Sequence, residues 1–283
     1  MKSKIYILAG FFLVLGACSN SKQAKVDIAE SDAHYRLGIE FAQYNLYQNS
    51  LDEFDLAIKF NPNNAKAYDK KGLVLFGMKR YEEAKPLFEK ATQIDPVYVQ
   101  AYVNLGMVYY SLGDKEKAKK QWEDAVSRKE GDNDSKALNN LGNYYKELKD
   151  YDKAAEYYKK ALAIEAANSM YLNNLAEVFW TKGDLAQAEQ ILQTSLKADA
   201  RGMTTNYILG LINKDKKNYD EAIKYLQTSI KVNPYLLDAR YELADVYRIK
   251  RDKTASLQSI QEAVKQDPAN PKYQALLQKI QTS

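Results

Sequence analysis

Apolar residues recur along this chain in paired stretches at helical spacing, and a short polar turn such as Gly113-Asp114 or Gly183-Asp184 splits each pair. The paired pattern itself repeats. Seven small residues, Gly38, Gly72, Gly106, Gly142, Ala176, Gly210 and Ala244, stand 34 positions apart, except that Gly106 and Gly142 are 36 apart. A period of this length predicts a stack of equivalent helix pairs forming one elongated domain, not a single globular core. With the small residue as position 8, the units are 31–64, 65–98, 99–132, 135–168, 169–202, 203–236 and 237–270.

Other positions keep the same phase. Position 20 is Ser50, Ala84, Ala118, Ala154, Ala188, Ala222 and Ser256, and position 27 is likewise alanine or serine. Position 24 is large: Phe54, Phe88, Trp122, Tyr158, Leu192, Leu226 and Ile260. Position 32 is Pro62, Pro96, Pro234 and Pro268, replaced in the third, fourth and fifth units by Glu130, Ala166 and Ala200. Two helices cross closely only where side chains are small, which accounts for glycine inside a helix despite a cost of about 1 kcal/mol against alanine. The bulky position 24 fills the space between neighbours, and proline stops the second helix before the next begins. Residues 271–283, apolar at Tyr273, Leu276, Leu277 and Ile280, read as a capping helix over the last unit. The two extra residues fall within 128–135 and read as a loop insertion.

This in-phase alternation resembles the tetratricopeptide repeat over residues 31 to 270. The resemblance implies an all-α fold: a right-handed superhelical solenoid of seven tetratricopeptide helix pairs plus a C-terminal capping helix.

The N-terminus follows a different pattern. Lys2 and Lys4 precede an apolar run from Ile5 to Leu15, 11 residues against the roughly 20 that span a bilayer as a helix. The proportions are those of a signal peptide, expected over residues 1–17. Leu15-Gly16-Ala17-Cys18 resembles the lipobox of bacterial lipoproteins, with Gly16 the less usual choice at its place. That resemblance implies lipidation of Cys18, the only cysteine, and a membrane anchor through its acyl chains. Residues 18–30 would be the lipidated terminus and a polar tether. Ser19 after the cysteine implies, by the same resemblance, the outer membrane facing the periplasm.

Composition narrows the function. The charges are interspersed, with no basic stripe despite a net charge of +4, so nothing points to nucleic acid. The single histidine, His34, stands at a packing position, and without a second histidine or cysteine no metal set of ordinary spacing exists. There is no phosphate-binding glycine loop, and the expectation is a non-enzymatic protein with no cofactor and no small-molecule substrate.

Recognition of a protein or peptide remains. In the family, positions 2, 5, 6, 9, 12 and 13 tend to face a concave groove. In the first three units these include Tyr35, Ile39, Leu73, Phe76, Val103, Met107 and Tyr110, an apolar patch that the core does not demand. From the fourth unit they turn polar, with Lys136, Asn139, Asn143, Lys146, Glu177, Lys214, Asp245 and Arg248. Asn104, Asn140 and Asn174 at position 6 could offer a row of amides to the backbone of a bound peptide. The basic carboxylate clamp of chaperone-binding family members is absent, since Asp69 and Val103 stand where it needs cations. The layout of lipobox, tether and repeats resembles the pilotin-like lipoproteins that assist type IV pilus secretins. An adaptor for envelope hydrolases or proteases is the alternative, or a cytosolic co-chaperone if the lipobox misleads.

Overall fold

The computed structural model describes residues 27–128 and 133–282. These form fifteen helices and no strand. Helix α1 covers 27–43 and pairs with α2 (Tyr47–Phe60). Then follow α3 (Ala65–Gly77) with α4 (Tyr81–Ile94), α5 (Val99–Ser111) with α6 (Lys115–Ser127), and α7 (Asn133–Glu147) with α8 (Tyr151–Ile164). The last pairs are α9 (Ser169–Thr181) with α10 (Leu185–Ala198), α11 (Met203–Asp215) with α12 (Tyr219–Val232), and α13 (Leu237–Ile249) with α14 (Lys253–Gln266). Helix α15 (Pro271–Thr282) ends the series.

Each turn within a pair is set by one residue in the left-handed region at position 15: Asn45, Lys79, Gly113, Lys149, Gly183, Lys217 and Arg251. Only two are glycine, so the other five carry a local strain of about 1 kcal/mol each. The next residue often caps the second helix. The carboxylates of Asp114, Asp150, Asp184 and Asp252 accept the backbone N–H of the residue three further on.

The small-over-large rule has a direct geometric cause. A Cβ placed on Gly106 would lie 2.3 Å from Trp122 Nε1, and one on Gly72 would lie 2.8 Å from the Phe88 ring. Ala176 and Ala244, by contrast, pack with the aliphatic Leu192 and Ile260. Where serine replaces alanine at position 20, its hydroxyl is satisfied: Ser50 donates to Gly38 O at 2.7 Å and Ser256 to Ala244 O at 2.8 Å.

The chain packs as two compact units, one ending at Ala137 and the other beginning at Leu138. Within each, the first helices of consecutive pairs touch: α3 with α5, then α9 with α11 and α11 with α13. Second helices lie farther apart and meet only through long side chains, as where Gln193 Nε2 of α10 donates to Tyr225 Oη of α12 at 3.3 Å. Each stack therefore curves with its first helices inside. Helix α15 closes the second unit, burying Tyr273, Leu276 and Ile280 against Ile260 and Ala263 while Lys272, Gln274, Gln278 and Lys279 face outward.

Candidate partner-binding surface

The inner face of the first unit holds an open apolar hollow of about 360 Å³. Ile39 from α1 and Leu73 from α3 form its walls, with Ala42, Tyr47, Val74 and Gly77 around them and Lys70 as its one cation. Ile39 and Leu73 meet because both occupy position 9 of adjacent first helices. The flanking aromatics lean on the core. Tyr35 has its ring 6.1 Å from Phe54, and Phe76 lies 5.2 Å from Tyr81. Burial raises the Tyr35 phenol pKa, and the charge of Asp69 adds to this. Met107 is half-buried, and Tyr110 is 39% exposed with its ring 6.0 Å from Trp122.

Other expected groove residues lie elsewhere. Val103 is core, and position 5 is also buried at Asp69, Asn139 and Asn173. First helices approach too closely for a side chain there to reach a ligand. The amides at position 6 do not form an open row either. Asn104 is buried and donates to Asp69 Oδ1 at 2.7 Å, while its own oxygen accepts Gln100 Nε2 at 2.8 Å. Asn174 donates to Asn139 Oδ1 at 2.8 Å. Both amides bridge position 5 of one pair to position 6 of the next, holding consecutive first helices in register. Asn140 alone is half-buried with no hydrogen bond among the described residues.

Asp69 organises this part of the stack. Its carboxylate is fully buried and accepts from Asn104, from Tyr98 Oη at 3.0 Å and from Lys70 Nζ at 3.1 Å. Burial raises the Tyr98 phenol pKa strongly, and Asp69 beside it adds to this. The sequence signal was available: an acid at position 5 followed 35 residues on by an amide at position 6.

The second unit presents a different inner face. Lys146 Nζ donates to Glu177 Oε2 at 2.9 Å. Lys214 Nζ reaches Glu242 Oε2 and Asp245 Oδ2, both at 2.7 Å, and Arg248 donates to Asp245 Oδ1. Burial works against the charge on Lys214, but its hydrogen bonds to Asp245 and Glu242 outweigh it and the pKa ends raised. For Asp245 burial again opposes ionisation, and Lys214 and Arg248 outweigh it to leave the pKa lowered. Asn143 is occupied too, accepting from Tyr158 Oη at 2.6 Å.

His34 stacks on Phe60 with centroids 5.5 Å apart, and its Nδ1 lies 2.6 Å from Glu53 Oε2. No group of three histidine, cysteine or acidic residues among the described residues could hold a metal ion. No described helix is long and apolar enough to cross a membrane. Cys18 and residues 1–17 lie outside the described residues.

Profiles described as tetratricopeptide repeat match residues 65–98, 97–167, 137–201, 173–235 and 215–280, together most of the chain. The chain belongs to the tetratricopeptide repeat family. Repeats of this kind are generally non-catalytic scaffolds for protein–protein interaction. No curated protein matches the chain. Solved structures share the tetratricopeptide fold at low identity. A chain of the APC/C hetero-tetramer Cut9–Hcn1 aligns with TM-score 0.70 and 19% identity over 91% of this chain, which spans only 48% of that one. Pseudomonas aeruginosa pilF aligns with TM-score 0.67 and 19% identity, covering 76% of this chain and 97% of its own. PilW, described as a widely conserved type IV pilus biogenesis factor, aligns with TM-score 0.68 and 18% identity, covering 75% and 98%.

Proposed function

We propose that this chain is a lipid-anchored tetratricopeptide scaffold of the bacterial envelope. It is held at the outer membrane through Cys18 and acts as a pilotin-like factor in secretin assembly for type IV pili. The observation that carries the binding role is the open apolar hollow of about 360 Å³ between Ile39 and Leu73. The anchor rests on the sequence from Lys2 to Cys18. The pilus assignment draws support from the fold shared with P. aeruginosa pilF and PilW along nearly the whole of those chains.

The partner would lay an apolar segment into the hollow. The acyl chains would keep the scaffold where outer-membrane proteins arrive. Mass spectrometry of the mature N-terminus tests the anchor: a diacylglyceryl-modified Cys18 is expected, and an unmodified Met1 overturns it. Deleting the protein should leave the secretin monomeric. Heat-resistant secretin oligomers in the deletion strain would overturn the pilus assignment while leaving the scaffold intact.

A further inference from the structure

Position 23 of the second helix is where the last pair departs from the others. In four of the other pairs it carries Leu87, Tyr157, Ile191 or Tyr225, and these fill the seam beside them. Leu87, Ile191 and Tyr225 pack against buried core residues, and Tyr157 stacks on Tyr145 with centroids 5.3 Å apart. Tyr225 also reaches the preceding second helix, through the hydrogen bond from Gln193. In α14 the same place is Ser259, the smallest residue at that position in any pair, and its hydroxyl turns back to Ala255 O at 2.9 Å. A hollow of about 400 Å³ is left between α12, α13 and α14, within the second unit, with Leu243 in its wall.

Two groups in this hollow carry charge that the fold does not match. Position 4 has a structural task in this part of the stack: Asn206 donates to Ala200 O at 3.2 Å and, at the same place on α15, Gln274 donates to Pro268 O at 3.0 Å. Each ties a helix start to the loop six residues back. Arg240 does the same through Nε, which donates to Pro234 O at 3.1 Å. An amide is enough for that bond, so the terminal guanidinium nitrogens are additional, and they have no carboxylate partner among the described residues. Glu262 lines the same hollow, is half-buried, and likewise has no ion pair among the described residues. Tyr247 Oη accepts from Gln227 Nε2 at 3.0 Å, whereas its counterpart Tyr109 donates to Glu89 Oε1 at 2.9 Å, so the Tyr247 proton is left for another acceptor. An anion alone would be opposed by Glu262 and a cation alone by Arg240, while a neutral molecule would strip water from both charges and pair neither. A molecule that carries both charges satisfies both groups. We infer that this hollow, whose volume is that of a small-molecule site, binds a zwitterion of dipeptide size, its carboxylate on Arg240 and Tyr247 and its ammonium on Glu262. The inference does not rest on the hollow of Ile39 and Leu73 or on the lipid anchor.

The probe is alanyl-alanine with both ends free, titrated into the full-length protein in a non-ionic detergent and followed by methyl NMR at Leu243 and Ala255. Two controls each lack one charge: the N-acetyl dipeptide and the dipeptide amide. The zwitterion is expected to shift both signals saturably and to bind about tenfold more tightly than either control. Arg240→Gln keeps an amide for Pro234 O, as Gln274 supplies one to Pro268 O, and removes the cationic fork. It should weaken the dipeptide about tenfold and abolish its advantage over the amide form, while the advantage over the N-acetyl form persists. Glu262→Gln should do the converse. Ser259→Tyr, which restores the residue of the preceding pair, should end binding with the Tm no lower. Equal binding of the three peptides, no saturable shift at Leu243 and Ala255, or discrimination that Arg240→Gln and Glu262→Gln leave unaltered overturns the inference. So does a response that Leu73→Gln removes, since the peptide would then occupy the hollow of the first unit.

Discussion

The two units build the same repeat and spend their inner faces in opposite ways. In the first, position 9 is Ile39, Leu73 and Met107, and the face stays apolar around an open hollow. In the second, position 9 includes Glu177 and Asp245, which are tied to Lys146, Lys214 and Arg248. A face whose charges already satisfy one another offers a protein partner little, because docking would trade existing ion pairs for new ones. An apolar face gives up only water. The contrast supports the proposal that recognition belongs to the first unit.

The bridge between first helices sharpens this contrast most. In the first unit it is ionic, a buried Asp69 holding Asn104, Tyr98 and Lys70; in the second it is the neutral pair Asn139–Asn174. Replacing Asp69 by Ala strands two donors in the core and removes an acceptor that also pairs Lys70. A loss of about 4 kcal/mol is expected in urea denaturation. Asn139→Ala should lose only about 1 kcal/mol. Equal losses would mean that the ionic bridge adds nothing beyond its hydrogen bonds.

Next in size is the pairing of positions 8 and 24. All three pairs of the first unit set glycine under an aromatic ring, whereas the second mixes Gly142 under Tyr158 with Ala176 beside Leu192. Gly106→Ala drives a methyl into Trp122, whose Nε1 donates to Val103 O at 3.2 Å and fixes the indole in place. About 2–3 kcal/mol of destabilisation follows from overpacking. Ala176→Gly should cost about 1 kcal/mol through helix propensity alone. A neutral Gly106→Ala would show that the Trp122 ring can move aside.

These pairs were legible in the sequence because a small residue and a large one recur at a fixed spacing, and backbone geometry leaves no other arrangement. The helix pairs and the cap were legible for the same reason. The turns were less so. The left-handed residue at position 15 advertises itself as glycine only at Gly113 and Gly183, while Lys79 or Lys217 at the same place gives no sign. The site was half legible. Ile39 and Leu73 do meet in the hollow, because position 9 points inward whatever the residue. Asn104 read as a ligand group, since a single repeat cannot reveal that its partner Asp69 lies 35 residues back in the preceding one. For Asn104 and Asn174 it is contacts between repeats that decide whether a polar residue is free.

The hollow itself gives a smaller effect, read more in binding than in stability. Leu73→Gln should lower cross-linking from a photoreactive group at Phe76 in intact cells by about tenfold, with a fall in Tm that stays modest because Leu73 is only partly buried. Lys146→Gln, on the inner face of the second unit, should leave the cross-linking unaltered. If both changes reduce it equally, the partner spans both faces and the division of labour fails.

The smallest effect separates charge from packing in the second unit. Lys214→Met keeps the aliphatic stem and removes the cation shared by Glu242 and Asp245. These side chains keep 15–21% of their surface exposed, so water still screens the pairs and the cost at neutral pH should be about 1 kcal/mol. The pH dependence carries the diagnosis. Asp245 has its pKa lowered in the fold, so the unfolded chain binds more protons as the pH falls through the ordinary aspartate range near about 4. Its contribution is complete above that range and is lost as the pH drops through the lowered value. The raised pKa of Lys214 gives the mirror case, complete below about 10.4 and lost as the pH climbs through the raised value. The gap between wild type and Lys214→Met, taken from urea midpoints, should therefore be widest near neutrality and close in acid as Asp245 protonates. A gap that stays constant down to about pH 2.5 would mean that the loss comes from how methionine fits the site and not from the charge that Lys214 shares with Asp245.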